Sequence, residues 1–145
     1  MHARTSSGFT LIELMIVVLI VGILASIAIP NFISLQRRAQ ESRVKANMHT
    51  LQLVMEDFSI LNNGIYATAA GSTTQDGRTL AQMCPGGVFP VNPFTKLPSV
   101  VNWNANPSLG NPGEMAFNPV TDNLYYLKGN GPLGDTLTLV LTTGQ

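Results

Sequence analysis

The sequence predicts an α+β protein in which one long N-terminal helix packs on a small antiparallel sheet. Three observations predict this fold. An apolar run of 21 residues from Phe9 to Ile29 contains a single charge, and an amphipathic helical pattern continues from it to about Leu61. The chain after that point is rich in turn residues and contains short runs of β-forming residues. Its 145 residues suffice for one such domain.

Composition excludes two broad classes of function. Hydrophobic residues make up 45% of the chain and charged residues 11%, with a formal net charge of zero, so no broad positive field exists to attract nucleic acid. The single cysteine, Cys84, excludes an intramolecular disulfide and a four-cysteine metal site. We interpret Cys84 as a small half-buried apolar residue; an intermolecular disulfide or a reactive thiol is the alternative.

The apolar run has the length of a transmembrane helix. As a helix it extends roughly 31 Å, which matches the hydrocarbon core of a bilayer. Arg4 and the amino terminus favour the cytoplasmic side, which leaves the chain after Pro30 outside the cytoplasm. Four basic residues near the outer end of the run oppose this orientation: Arg37, Arg38, Arg43 and Lys45.

A cleaved secretory signal is the alternative for this segment. Its apolar core would measure roughly 7 to 15 residues and end in a small-residue cleavage site. The run observed here is longer, and the small residues at 25–28 lead directly into a helical continuation. These features favour a helix that the mature protein retains.

Glu13 is the one charged residue inside the apolar run. Placing an acidic side chain at the centre of a membrane helix costs roughly 2.5 to 3.5 kcal/mol, and such residues usually mark a function or a partner. Snorkelling towards the membrane surface is the structural alternative. We predict that Glu13 pairs with a positive group in an apolar environment.

Three parts of this segment form one pattern: Gly8-Phe9-Thr10-Leu11-Ile12-Glu13, then Leu14-Met15-Ile16-Val17-Val18, and finally Ile29-Pro30. The pattern resembles the processing and assembly motif of type IV pilins and of the related type II secretion pseudopilins. The resemblance implies that residues 1–8 are a leader, that a prepilin peptidase cleaves between Gly8 and Phe9, and that the new amine of Phe9 is methylated. It also implies that Glu13 pairs with the amine of a neighbouring subunit in a filament.

Residues 9–30 therefore form the predicted transmembrane and filament-core half of the helix. Gly22 and Pro30 weaken it, because glycine costs about 1 kcal/mol relative to alanine and an interior proline roughly 3 kcal/mol. In related filaments the helix loosens between matching positions. We carry that expectation over to Gly22 and Pro30.

Residues 31–63 form the predicted amphipathic half. Glu41 and Lys45 on its polar face are spaced for an ion pair, and Asn62-Asn63-Gly64 is a stop signal. Its apolar face recurs at helical spacing in Phe32, Leu35, Ala39, Val44, Met48, Leu51, Met55 and Phe58.

Residues 64–145 form the predicted α+β head. One helical turn is expected at 79–83, and Gly129-Asn130-Gly131-Pro132 reads as a turn between the last two strands. Strands are predicted at Glu114–Phe117, Asn123–Leu127 and Thr136–Thr142.

Two segments of the head extend the resemblance. Residues 89–95 are similar to a proline-and-asparagine loop of disulfide-free pilin-like subunits, and residues 139–145 are similar to their C-terminal strand. The major pseudopilin often has Asp-Pro-Trp-Gly where this chain has Asn92-Pro93-Phe94-Thr95, and it holds calcium in a nearby loop. We predict no cofactor, with calcium at Asp135, Asp122 and backbone oxygens around Gly131 as the alternative.

The sequence offers no catalytic constellation. His2 lies in the predicted leader, and no spacing brings Cys84 or a serine to His49 together with a carboxylate. The glycine-rich stretches match no nucleotide-binding fingerprint. We predict that the protein is not an enzyme.

The resemblance implies a structural subunit that forms a helical homo-oligomer, a type IV pilus or pilus-like filament. Its partners would be the prepilin peptidase, an inner-membrane platform and an assembly ATPase. It would reside in the bacterial inner membrane, head outside, before joining an extracellular pilus or a periplasmic pseudopilus. A pseudopilin that drives protein export is the first alternative, and a membrane-tethered binding module is the second.

Overall fold

The computed structural model describes residues 8–103, 105–121 and 124–143. Residues 1–7 of the predicted leader, with His2 and Arg4, lie outside these ranges, as do Asp122, Asn123 and the last two residues. The chain divides into two compact units, residues 1–36 and residues 37–145. Helix α1, Leu11–Leu61, contributes to both.

The first unit consists of the apolar part of α1. Every large apolar side chain from Phe9 to Leu35 is between 43% and 78% exposed, so this part has no interior of its own. The hydroxyls of Ser26 and Ser34 donate to the carbonyls of Ile23 and Asn31, which satisfies them within the helix. The helix is long and apolar enough to cross a membrane, as the sequence predicted.

The helix breakers do not interrupt α1 in the isolated chain. Pro30 lies inside the helix, and the residues from Gly22 to Pro30 are helical. The loosening expected at these positions concerns the filament and stays a prediction.

In the second unit, α1 buries one face from Val44 onward. The predicted apolar positions Val44, Met48, Leu51, Met55 and Phe58 are all buried, whereas Phe32, Leu35 and Ala39 are exposed. Gly129 packs closely against this face, since a Cβ there would lie 2.8 Å from the Met48 sulfur. The pattern therefore predicted the helix correctly along its length but the packed surface only beyond residue 44.

The head adds one short helix and four strands to α1. Helix α2, Leu80–Met83, has Thr79 as its N-cap in a capping box with Gln82, and a short 3-10 turn, Pro85–Gly87, follows. The strands in sheet order are β1 Val101–Trp103, β2 Met115–Thr121, β3 Leu124–Gly129 and β4 Leu141–Thr142.

The sheet is mixed, so the prediction of a wholly antiparallel sheet was wrong. Strands β2–β3 and β3–β4 are antiparallel, but β1 runs parallel to β2, with Val101 opposite Met115 and Trp103 opposite Phe117. The sequence did not reveal β1 because three residues are too few for a recognisable alternation. The α+β class itself is confirmed.

The last predicted strand is much shorter in the hydrogen-bonded ladder than in the sequence pattern. Leu137 and Leu141 are buried and Leu139 packs against the core, as alternation predicts. Only Leu141 and Thr142 pair with β3, while Thr136 makes an isolated bridge to Asn130. The side chains of residues 136–142 thus alternate between more buried and more exposed positions even where the backbone makes no ladder with β3.

Aromatic rings form the centre of the core between α1 and the sheet. The Tyr66 and Tyr125 ring centroids are 4.9 Å apart, and those of Phe117 and Tyr125 are 4.8 Å apart. Trp103 extends the cluster at 5.9 Å from Phe117. The Glu56 carboxylate of α1 accepts hydrogen bonds from the hydroxyls of Tyr125, at 2.7 Å, and Tyr66, at 3.0 Å. The buried hydroxyls therefore have partners.

Candidate processing and assembly site

Glu13 and Thr10 form a reciprocal cap at the beginning of α1. The Glu13 carboxylate accepts hydrogen bonds from the Thr10 backbone amide, at 2.9 Å, and from the Thr10 hydroxyl, at 2.7 Å. The Thr10 hydroxyl in turn accepts from the Glu13 backbone amide at 3.3 Å. This is the capping-box arrangement, which satisfies amides that a helix beginning leaves unpaired.

Sequence reasoning identified Glu13 but missed the role of Thr10. The signal was present, because a threonine followed three residues later by a glutamate, just before an apolar run, marks a helix N-terminus. The cap explains how the isolated chain accommodates Glu13: the carboxylate finds two donors within its own first turn.

The predicted cleavage position is open to a partner. Gly8, Phe9 and Thr10 precede α1 and are exposed, with the Phe9 side chain 74% exposed. A Cβ at Gly8 would meet no atom within 4 Å, so the fold of this chain does not require glycine there.

The predicted residues fall into two places. Gly8, Phe9 and Glu13 lie within one short stretch at the beginning of α1. Gly22 and Pro30 lie further along the helix, roughly 14 and 26 Å beyond Glu13 at the normal rise. A Cβ at Gly22 also meets nothing within 4 Å. The structure does not bring these two into the N-terminal site.

Buried amide side chains organise the loops of the head. The Asn92 side-chain oxygen accepts from the Phe94 amide at 2.8 Å, and its nitrogen donates to the Pro112 carbonyl at 3.0 Å. A Cβ at Gly113, which has φ +74°, would overlap the Asn92 side chain. The predicted proline-and-asparagine loop is thereby fixed against the segment before β2.

A second amide fixes the neighbouring loop. Asn130 is fully buried, and its nitrogen donates to the carbonyls of Ser108, at 2.7 Å, and Asn111, at 3.0 Å. Glu114 is also buried, and its carboxylate accepts from the Ser108 amide and the Asn111 side chain. Protein donors therefore occupy the carbonyl oxygens of Ser108 and Asn111 and one oxygen of the Glu114 carboxylate.

The residues named for calcium do not form a cluster in the described part of the chain. Asp135 is exposed, and its backbone carbonyl accepts from the Gly131 amide at 2.8 Å. Asp122 lies outside the described residues. Within the described ranges no group of three His, Cys, Asp or Glu side chains is placed to hold a metal ion.

The groups considered for catalysis lie in unrelated environments. The His49 imidazole contacts the Gln52 side-chain oxygen at 3.3 Å on α1. Cys84 is buried in the core rather than half-buried, and burial raises the pKa of its thiol. A thiol in this position is less reactive than an exposed one.

Comparison with known proteins adds to this geometry. The family model described as the prokaryotic N-terminal methylation motif matches residues 3–29. The N-terminal segment carries that methylation motif. Its match includes Gly8, Phe9 and Glu13, the three residues that the resemblance singled out.

The relatives of the chain fall into two groups. It is 59% identical over 51 residues to the type IV major pilin protein PilA of Myxococcus xanthus, a match that covers 35% of this chain and 23% of the relative. It is 34% identical over 71 residues to the type II secretion system core protein G of Aeromonas hydrophila, which covers 49% of this chain and 50% of that protein. No solved structure matches the chain.

A third match extends further into the head. The core protein G of Pectobacterium carotovorum subsp. carotovorum is 26% identical over 107 residues, which cover 74% of this chain and 68% of the relative. The predicted resemblance to type IV pilins and type II secretion pseudopilins is thus confirmed. The chain spans about a quarter of the length of the Myxococcus pilin and about half of the length of the Aeromonas core protein G.

Proposed function

We propose that the protein is a structural subunit of a type IV pilus or pilus-like filament, assembled through α1. One observation carries the proposal: a methylation motif begins the apolar part of α1, where every large apolar side chain from Phe9 to Leu35 is exposed and the one carboxylate, Glu13, lies about one turn from Phe9. Exposed apolar surface of this extent requires lipid or protein around it. A membrane provides the first and a bundle of identical helices the second.

Processing would begin at Gly8. A prepilin peptidase would cut between Gly8 and Phe9, and the amine of Phe9 would then be methylated. The open space around Gly8 supports this step, because a Cβ at that position would meet no atom within 4 Å and the described part of the chain gives no packing reason for glycine there. Removal of the leader leaves a positive amine next to the capped Glu13.

Assembly would use that amine and the Glu13 carboxylate. A buried carboxylate is tolerable when a buried ammonium pairs with it. The cap makes Glu13 a prepared acceptor, since Thr10 holds the carboxylate at the helix beginning. The amine of a neighbouring subunit would replace or share these donors as the helices stagger into a filament core.

The remaining partners are those that the resemblance to pilins and pseudopilins implies. An inner-membrane platform and an assembly ATPase would move the subunit from the bilayer into the filament, so the chain itself needs no catalytic centre. The precursor would lie in the bacterial inner membrane with its head outside the cytoplasm. The assembled protein would be an extracellular pilus or a periplasmic pseudopilus.

The decisive experiment replaces Glu13 in cells that assemble the filament. We expect Glu13→Ala to abolish or strongly reduce filaments while cleavage after Gly8 continues, as judged by the mass of the mature chain. Glu41→Ala is the matched control, because that glutamate lies on the polar face of the same helix and pairs with Lys45 at 2.7 Å. Normal filaments from Glu13→Ala would contradict assembly through Glu13. A Glu13→Ala variant that forms no filaments but keeps the function of the protein would favour a monomeric membrane-tethered binding module.

A pseudopilin that drives protein export is the second candidate. The match to the Pectobacterium core protein G favours it, since that match extends well into the head. Long extracellular fibres that contain this chain support the pilus. Loss of secreted enzymes on deletion, without loss of fibres, supports the pseudopilin.

A further inference from the structure

Basic residues are concentrated in one short stretch of α1. Four of the eight lysines and arginines lie between Arg37 and Lys45, accompanied by a single acidic residue, Glu41. That stretch has a formal charge of +3, whereas the rest of the chain holds four basic and seven acidic residues. A neutral protein therefore carries a compact positive segment just beyond its apolar helix.

Three of these cations have no acidic partner in the described part of the chain. Lys45 is paired with Glu41, at 2.7 Å. Arg37, Arg38 and Arg43 are exposed, and the ion pairs within the described ranges do not include them. Their guanidinium groups are free to bind an external anion.

The chain distance between the apolar span and Arg37 is short. If the hydrocarbon core ends at Ile29, Arg37 lies about 12 Å further along the helix. If Glu13 is drawn to the inner surface of the membrane, a span of equal length ends near Ile33, and the distance falls to about 6 Å. A headgroup layer is about 5 to 8 Å thick, and arginine side chains reach back towards it.

We propose that Arg37 and Arg38 bind the phosphates of anionic phospholipids at the outer surface of the membrane that holds the precursor. The planar guanidinium group suits phosphate oxygens because it donates two parallel hydrogen bonds. Arg43 lies roughly 15 to 21 Å beyond the same two boundaries, out of reach of the headgroups. The inference rests on the proposed membrane insertion but not on filament assembly.

Lipid binding would explain why arginines lie on the outer side of the membrane, where the positive-inside rule does not favour them. Positive residues on the outer side oppose the favoured orientation of a span, yet a basic residue near an anionic membrane surface is attracted to it. The two arginines would hold the precursor at a fixed depth. Those contacts would have to break when the subunit leaves the bilayer.

The test uses the full chain reconstituted in vesicles that contain phosphatidylglycerol and phosphatidylcholine. Electron spin resonance of spin-labelled lipids gives the relative association of phosphatidylglycerol with the protein boundary. We expect wild type to select phosphatidylglycerol severalfold, R37Q and R38Q each to lower that selectivity, and R37Q/R38Q to abolish it. R43Q removes another exposed arginine from the same helix, one that also has no acidic partner among the described residues, and is expected to retain the wild-type value. High salt should reduce the selectivity of wild type towards that of the double variant.

Two results would overturn the inference about lipid binding without affecting the proposed function. One is wild-type selectivity in R37Q/R38Q; the other is an equal loss in R43Q, which would indicate a diffuse charge effect. If the double variant keeps its lipid selectivity but forms fewer filaments, the arginines contact a second copy of the chain instead. Failure of all the proteins to float with vesicles would contradict membrane insertion, and with it the proposed function.

Discussion

Glu13 receives both of its hydrogen bonds from Thr10, three residues earlier. The sequence predicted that Glu13 needs a partner, because a lone carboxylate in an apolar run is costly. It did not show that the isolated chain provides a local one. The cost of burying Glu13 was considered for that residue alone, whereas the cap depends on Glu13 and Thr10 together.

The cap yields a prediction at Thr10. Thr10→Val keeps the shape of the side chain but removes the hydroxyl, and loss of an N-cap costs about 1 kcal/mol. We expect faster amide hydrogen exchange at residues 11–14 in detergent micelles. Thr10→Ser, which retains the hydroxyl, is the control. Equal exchange in wild type and Thr10→Val would show that the cap does not stabilise the helix beginning.

The tyrosines around Glu56 give a pH prediction. Burial raises the pKa of Tyr125 above its ordinary value of 10.0, and the hydrogen bond to Glu56 raises it further; burial also raises the pKa of Tyr66. A raised pKa means that the folded state keeps the proton after the unfolded chain has lost it. The resulting stability is fully present below pH 10 and is lost as pH rises beyond it.

Tyr125→Phe should therefore differ from wild type in its stability at pH 7 and in how steeply that stability falls at high pH. At pH 7 we expect a loss of about 1 to 3 kcal/mol, because the Glu56 carboxylate loses a donor. Between pH 10 and 12 the variant should lose stability less steeply than wild type. Thermal unfolding of the full chain in detergent, followed by near-ultraviolet circular dichroism, measures both. The exposed Tyr126→Phe is the control, and parallel pH profiles for wild type and Tyr125→Phe would refute the argument.

At the scale of elements, the sequence pattern predicted α1 to within about two residues at each end. It did not predict where packing begins, because Phe32 and Leu35 follow the same spacing as Val44 and Met48 yet are exposed. An apolar face indicates that its side chains are shielded from water in the functional protein. It does not indicate whether the head, a lipid or another subunit shields them. Strand β1 was not predicted because its three residues show no recognisable alternation, and their pairing with β2 depends on the tertiary fold.

The loop at Asn92 provides a prediction about how elements are joined. Asn92→Ala removes hydrogen bonds to the 93–95 turn and to Pro112, and we expect a loss of about 2 kcal/mol in urea unfolding. Gly113→Ala should also destabilise, because its φ is +74° and its Cβ would overlap Asn92.

The double variant tests whether these two positions act as a unit. Truncation of Asn92 opens the space that a Cβ at Gly113 needs. The double variant should therefore lose less stability than the two single losses added, by more than about 0.5 kcal/mol. Strict additivity would mean that the overlap does not determine the cost.

At the scale of the whole molecule, the side chains of Asn92, Asn130 and Glu114 hold the loops of the head together. It has one cysteine, and that residue is buried and free. Asn92 and Asn130 connect three loops, and Asn130 directs its nitrogen at the carbonyls of Ser108 and Asn111. Backbone carbonyls are ligands that calcium uses elsewhere, but here protein donors already occupy them.

This arrangement predicts that the head is indifferent to calcium. A site that binds only the folded state would add roughly 2.7 kcal/mol at a calcium concentration of one hundred times its Kd. For a head of this size that corresponds to a rise in Tm of more than about 10 °C. We expect no such rise when calcium replaces a chelator in thermal unfolding of the full chain, and no heat of binding by calorimetry. Asp135→Asn separates the alternatives, since a calcium-dependent rise in wild type that this variant loses would place a metal at the 131–135 turn and contradict the prediction.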